Sequence, residues 1–146
     1  MRELSKLQVR QRLRRRGVEP QVAEEVIASL VDLGALNEER LALAAARRET
    51  AIRGRGPARA RLALKALGLG DDTVNAALDT TLAQVDVDAL LDRALDKRLR
   101  GVPSGPLDRA TFRRVAGALV RQGFDAQTVM NRLRRRGAGT PDDTES

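Results

Sequence analysis

The chain has 146 residues and a formal net charge of +7; 42% of it is hydrophobic, mostly alanine and leucine, and 32% is charged. It contains no cysteine and no histidine, which excludes disulfides, thiol nucleophiles, His/Cys metal sites and imidazole acid–base chemistry. No apolar run reaches the length of a membrane span and no signal-peptide pattern opens the chain, so the sequence reads as a cytoplasmic protein without membrane contact.

In chain order the pattern gives eight helices and no convincing strand. Ser5 is a good N-cap for a first helix running to Arg16, with Val9 and Leu13 expected inside and Gln8, Arg12 and Arg15 pointing elsewhere. Pro20 opens the second helix, whose apolar stripe is Val22, Val26, Ile27 and Leu30 and whose stop is Gly34. Asn37 caps a third, long helix over 37–53. Arg53-Gly54-Arg55-Gly56-Pro57 breaks it and starts a fourth, ending at Gly68. Asp71 or Asp72 is expected to cap the fifth, with Val74, Ala77 and Leu78 inward. Asp86 or Asp88 is expected to open the sixth, over 86–100. Residues 101–106, with two prolines and two glycines, read as a linker. Asp108 caps the seventh helix and Asp125 the eighth, which Gly137 is expected to stop; residues 138–146 read as a polar, disordered tail.

One motif recurs. Leu13–Val18, Leu64–Leu69 and Leu119–Phe124 all read Leu-x-x-x-Gly-apolar, the signature of a helix stopped by a left-handed glycine. Superposing on Gly17, Gly68 and Gly123 aligns Val9, Ala60 and Val115, then Ile27, Leu78 and Leu133 beyond the corner. The matches are apolar positions at helical spacing, as a repeated helical unit requires. The chain thus divides into a first repeat at 1–36, a second at 37–85 and a third at 86–137. The first lacks the long leading helix of the other two. Gly17, Gly68 and Gly123 are expected at helix ends with positive φ. Val9, Leu13, Leu64, Val115, Leu119 and Phe124 are expected in the core.

This arrangement of three tandem three-helix units, each with a glycine corner, resembles the RecX family of regulators of the RecA recombinase. The similarity runs from about Ser5 to Arg136. Gly34-Ala35-Leu36-Asn37-Glu38-Glu39-Arg40-Leu41-Ala42 is similar to the family's Gly-Leu-Leu-Asn/Asp-Asp-x-Arg-Phe-Ala; Gly56-Pro57 resembles the start of its second unit and Gly123-Phe124 the Arg-Gly-Phe corner of its third. Glu38, Leu41, Leu67 and Gln122 depart from the usual residues. The family has one more helix before Ser5, so the chain is read as truncated there or starting late. The resemblance implies an all-α elongated array that binds the RecA filament on single-stranded DNA and lowers its recombinase, ATPase and coprotease output.

No residue set points to an enzyme or a cofactor. Gly54-x-Gly56-Pro57 follows a helix and lacks Gly-Lys-Ser/Thr, so it is no phosphate loop. Asp88, Asp92 and Asp96 form one helix row, read as a solvated face balanced by Arg93, Lys97 and Arg100 rather than a metal site. The basic residues Arg12, Arg15, Arg59, Lys65, Arg114 and Arg121 fall on the short helix before each corner and are expected to form an outward basic track. Ordinary solubilising arginine is the competing explanation. Two further function classes stay open: a direct DNA-binding helix-turn-helix module, and a helical adaptor with no nucleic-acid context. Against the former, the corner helices lack Asn/Gln base readers, and no Trp or Tyr supplies a stacking platform. The chain is read as a monomer with only weak, non-specific affinity for free DNA.

Overall fold

The computed structural model describes residues 3–137, among which there are eight α-helices and no strand. They are α1 (Lys6–Arg15), α2 (Pro20–Asp32), α3 (Glu38–Arg47), α4 (Pro57–Ala66), α5 (Asp71–Leu82), α6 (Val87–Arg98), α7 (Arg109–Arg121) and α8 (Ala126–Gly137). The tail at 138–146 lies outside the described residues.

The helix starts follow local chemistry. Ser5 forms a reciprocal capping box with Gln8, and Asn37, Asp86 and Asp108 each accept the backbone N–H three residues on. Asp125 accepts from the Thr128 N–H and hydroxyl, both at 3.0 Å. Pro20 and Pro57 occupy the first turns of α2 and α4. The start of α5 corrects the sequence reading: Gly70 is its N-cap, no side chain caps it, and Asp71 and Asp72 lie inside the first turn. There they still complement the positive end of the helix. The eighth helix is described as far as Gly137, the last described residue, so whether Gly137 stops it lies outside the described residues.

All three corners close as expected, with φ of 78° at Gly17, 85° at Gly68 and 111° at Gly123. In the first, the Gly17 N–H bonds Arg14 O and the Val18 N–H bonds Leu13 O, both at 3.0 Å. In the third, the Gly123 N–H bonds Val120 O and the Phe124 N–H bonds Leu119 O. This double closure explains the spacing of the motif, since it sets the leucine against the apolar residue after glycine.

Two apolar clusters form. One gathers Leu41, Ala45, Ala60, Leu64, Val74 and Leu78 from α3, α4 and α5; the other gathers Leu91, Leu95, Val115, Leu119, Val129 and Leu133 from α6, α7 and α8. Leu64 and Leu119 are fully buried, and Val115 and Phe124 are also core. Val9 and Leu13, expected beside them, are only half-buried, and Val22 is exposed. The reason is that α1 packs on α2 with no leading helix, among the described residues, to cover their outer side. The long third helix is also not uniform. Its last turn, Arg48–Ile52, widens into a π turn in which the Arg53 N–H reaches back to Arg48 O.

Candidate functional site

The helix starts of one unit dock on the glycine corner of the next, and the same docking occurs twice. Ser5, buried at the start of α1, donates its hydroxyl to Leu67 O, the residue before Gly68, while its oxygen accepts the Gln8 N–H. The Leu7 side chain lies where a Cβ on Gly68 would stand, at 2.5 Å. One unit later, the Gly56 N–H bonds Gln122 O at 3.0 Å and the Ala58 N–H bonds Gly123 O at 3.1 Å. A Cβ on Gly56 would meet the Gly123 carbonyl at 2.4 Å, and one on Gly123 would meet the Arg59 backbone N at 2.6 Å. In the superposition Ser5 aligns with Gly56 and Leu67 with Gln122, so equivalent residues make equivalent contacts.

Around the first junction the contacts are polar: the Lys6 N–H bonds Glu38 Oε2 at 3.0 Å, and Arg40 pairs with Glu3 while donating to Gly34 O. Within the first unit Arg10 spans to Glu24 with two bonds, of 2.7 and 3.0 Å. The Arg10 guanidinium holds the Glu24 carboxyl below the usual range.

Against this frame the basic residues differ from one another. Arg12 and Arg15 on α1, and Arg114 and Arg121 on α7, are exposed. Among the described residues none of them has a carboxylate within ion-pair distance. Lys65, at the end of α4, pairs with Asp71 across the second corner and holds that carboxyl below its usual range. Arg59 is half-buried, with its Cβ and backbone packed against the third corner. It is therefore part of a junction and not a freely outward side chain. The acidic row of α6 is likewise tied down: Arg132 of α8 binds Asp92 and lies 3.4 Å from Asp88. This partner comes from another helix and is not legible in the α6 row.

A second basic region lies at the second junction. Glu49, in the π turn, is buried, and its two oxygens take Arg53 Nη1 at 2.8 Å and Arg55 Nη1 at 2.7 Å. Its backbone carbonyl also accepts the Arg55 N–H, at 2.9 Å. Gln122 donates to Gly54 O at 2.9 Å and accepts from Arg98 at 3.2 Å. Arg53 and Arg55 thus gather beside Arg98 at the end of α6, although it is far from them in sequence. Only the Arg-Gly-Arg-Gly break hinted at this, because the partners come from the following unit.

No helix among the described residues is long and apolar enough to cross a membrane. Among those residues there is also no group of acidic side chains that could hold a metal ion.

The comparisons with known proteins agree with the architecture. Residues 1–30 match the family model "RecX, first three-helix domain". The chain is 35% identical over 129 residues to the regulatory protein RecX of Xanthomonas campestris pv. campestris (strain B100), covering 88% of this chain and 76% of that protein. It is 32% identical over 133 residues to that of Stenotrophomonas maltophilia (strain R551-3), covering 91% of this chain and 78% of that protein. A crystal structure of regulatory protein RecX superposes with a TM-score of 0.75 at 18% identity, covering 90% of this chain and 64% of that one. The RecX structure from Lactobacillus salivarius gives 0.67 at 18%, covering 90% and 86%. With tandem glycine-corner units, equivalent junctions and this identity along most of its length, the chain belongs to the RecX family of regulatory proteins.

Proposed function

We propose that the protein is a negative regulator of the RecA recombinase that binds the filament on single-stranded DNA and lowers its recombinase, ATPase and coprotease output. The repeats 1–36, 37–85 and 86–137 act as successive docking modules of one monomeric binder in the cytoplasm. Family membership is the support for a regulatory role. The observation that carries the docking mode is the set of exposed arginines on the short helix of the outer units, Arg12 and Arg15 on α1 and Arg114 and Arg121 on α7, which have no carboxylate within ion-pair distance among the described residues. Such groups fork onto carboxylate or phosphate without first breaking an internal ion pair, so they suit a partner that presents both acidic protein and DNA backbone.

Lys65 contributes less in this reading, because Asp71 already occupies it, and Arg59 contributes only its guanidinium tip. Co-sedimentation with RecA, nucleotide and single-stranded DNA, each omitted in turn, tests the partner. Tight binding is expected to require all three, with free single-stranded DNA alone retaining only a weak, salt-sensitive fraction. Binding that persists undiminished on DNA without RecA would favour the direct DNA-binding module. The double reversal Arg114→Glu/Arg121→Glu tests the surface. Both residues are exposed, so stability should change by no more than about 0.5 kcal/mol, while inhibition of RecA ATPase should weaken sharply. Parent-level inhibition by that variant would remove the basic track from the docking surface.

A further inference from the structure

We propose that the cleft between the π turn and α6, lined by Arg53, Arg55, Arg93, Lys97, Arg98 and Gln122, binds the phosphodiester backbone of nucleic acid without reading its bases. This site is separate from the basic track on the short helices, and it does not depend on the filament reading.

The cleft has two adjoining lobes that share Arg53, Ala94, Lys97 and Gln122. One is a cavity of about 490 Å³ reaching to Arg55 and Arg98, and the other, of about 300 Å³, reaches to Arg93. Among the described residues no carboxylate lines either lobe. Among the described residues the one acid that pairs with its cations is Glu49, which stands behind the wall and is 3% exposed.

Glu49 makes this more than a patch of surface charge. By taking one Nη1 from each of Arg53 and Arg55 it fixes both guanidinium groups. A guanidinium has five N–H donors, so each keeps several for an incoming oxyanion. One buried carboxylate also cannot neutralise five cations, and the surplus charge lies in a concave wall where solvent screens it less. Gln122, tied to Gly54 O and Arg98, holds the opposite side.

The shape and chemistry select the ligand class. Arg93 and Lys97 are one helical turn apart, ~6 Å along α6, so the two lobes suit an anion with repeated charges better than a single carboxylate. A nucleic-acid strand offers such a row in any sequence. Phe112 and Phe124 are the only aromatic residues of the chain, and neither lines the cleft. Without a stacking platform or a base-reading amide free in the wall, binding is to the backbone alone.

The test uses the whole chain and a short fluorescein-labelled oligothymidylate, with no recombinase present, read by anisotropy over a range of salt. Lys97→Glu/Arg98→Glu should weaken binding by about tenfold and flatten the salt slope by about 1.4, the value for two lost contacts on a single strand. Arg134→Glu/Arg135→Glu changes net charge equally on the exposed last turn of α8 and should cost less than about threefold. Oligodeoxycytidylate should bind like oligothymidylate, and inorganic tripolyphosphate should compete better than polyglutamate of equal charge. Should the reversal disturb the circular dichroism melt, Lys97→Gln/Arg98→Gln replaces it with the same expected direction. The proposal is overturned if the parent chain does not bind, or if the cleft variant binds like the parent. Equal loss by both double reversals, or equal competition by polyglutamate, would overturn it too. Inhibition of RecA is a separate measurement, so failure here leaves the filament reading standing, and the reverse also holds.

Discussion

Leu13 and Leu119 hold the same place in the glycine corner, yet Leu119 is fully buried and Leu13 only half. The first unit and the third share the same local code and reach different degrees of burial. In the third, α6 lies over α7 and supplies Leu90, Leu91 and Leu95 to the core. In the first, among the described residues, α1 and α2 pack chiefly on each other and on the edge of the second unit, and α1 has no buried residue. Val22 and Val31 on α2 and Leu33 just after it stay exposed, the last at 80%. A corner motif therefore fixes where the chain turns, whereas a covering helix decides how much apolar surface leaves water.

The sharpest way to break this comparison is truncation of the equivalent leucines. Leu119→Ala removes a fully buried side chain and should destabilise by about 2–5 kcal/mol. Leu13→Ala removes one already half in water and should cost about 1 kcal/mol. Chemical denaturation of both variants measures the difference. Equal losses would mean that the first unit has a core as closed as the third.

The corner glycines differ in the same sense and by somewhat less. At Gly17 a Cβ would meet nothing within 4 Å, so Gly17→Ala meets only the left-handed backbone, a cost of about 1–2 kcal/mol. Gly123 combines positive φ with the docking of Gly56 and Arg59, where rigid backbone stands in the way of any Cβ. Gly123→Ala should therefore cost about 3 kcal/mol, as overpacking adds to the backbone term. It should also loosen the junction between the second and third units, which amide exchange at Gly56 and Ala58 would report. Similar costs at Gly17 and Gly123 would remove the distinction between a turn and a docking point.

The junction on the other side is smaller in effect. Ser5→Ala deletes both the capping oxygen of α1 and the hydroxyl that reaches Leu67 O, leaving a partly buried carbonyl without that donor. A loss of about 1–2 kcal/mol is expected. The melting temperature gives the size, and amide exchange at Gln8 shows whether the start of α1 frays. Unchanged protection there would mean that the cap is not what anchors the first unit.

What the sequence shows well is what depends on neighbours in the chain. The three corners, Ser5, Asn37, Asp86, Asp108 and Asp125 as caps, and Pro20 and Pro57 at helix starts all follow from local geometry. What it shows poorly is decided between units. Arg59 looks outward on its own helix because its partner, Gly123, lies in the next unit. Glu49 reads as one acid among many, and only the π turn and the bend after it bring Arg53 and Arg55 onto it. Gly70 took the capping place that Asp71 and Asp72 were expected to fill, since glycine too is a fair N-cap. The alignment of Ser5 with Gly56 did carry a signal, two cap residues of different chemistry in one position. Its meaning needed the junction.

The smallest expected effect concerns acid. The third unit caps both α7 and α8 with carboxylates, whereas α1 is capped by a hydroxyl. The backbone N–H of Thr111, helped by its side chain, holds the Asp108 carboxyl below its usual range, and Thr128 does the same for Asp125. Because the folded value is depressed, the stabilisation is fully present above the unfolded value of about 3.9 and fades as pH falls through the folded one. Both carboxylates are exposed, so the change is local fraying rather than global unfolding. In a pH titration followed by amide chemical shifts, Thr111 and Thr128 should titrate with midpoints below that unfolded value, and Gln8, bonded to the Ser5 hydroxyl, should not follow them. The first unit does carry one acid-sensitive link, the Arg10–Glu24 pair between α1 and α2. Salt separates the two cases, since it screens an exposed ion pair more than a hydrogen bond to a backbone N–H. At neutral pH, added salt should therefore shift the Glu24 carboxyl signal while leaving Thr111 and Thr128 in place. If Thr111 instead titrates at or above the unfolded value, Asp108 is not capping α7 in solution, and the third unit rests on its closed core alone.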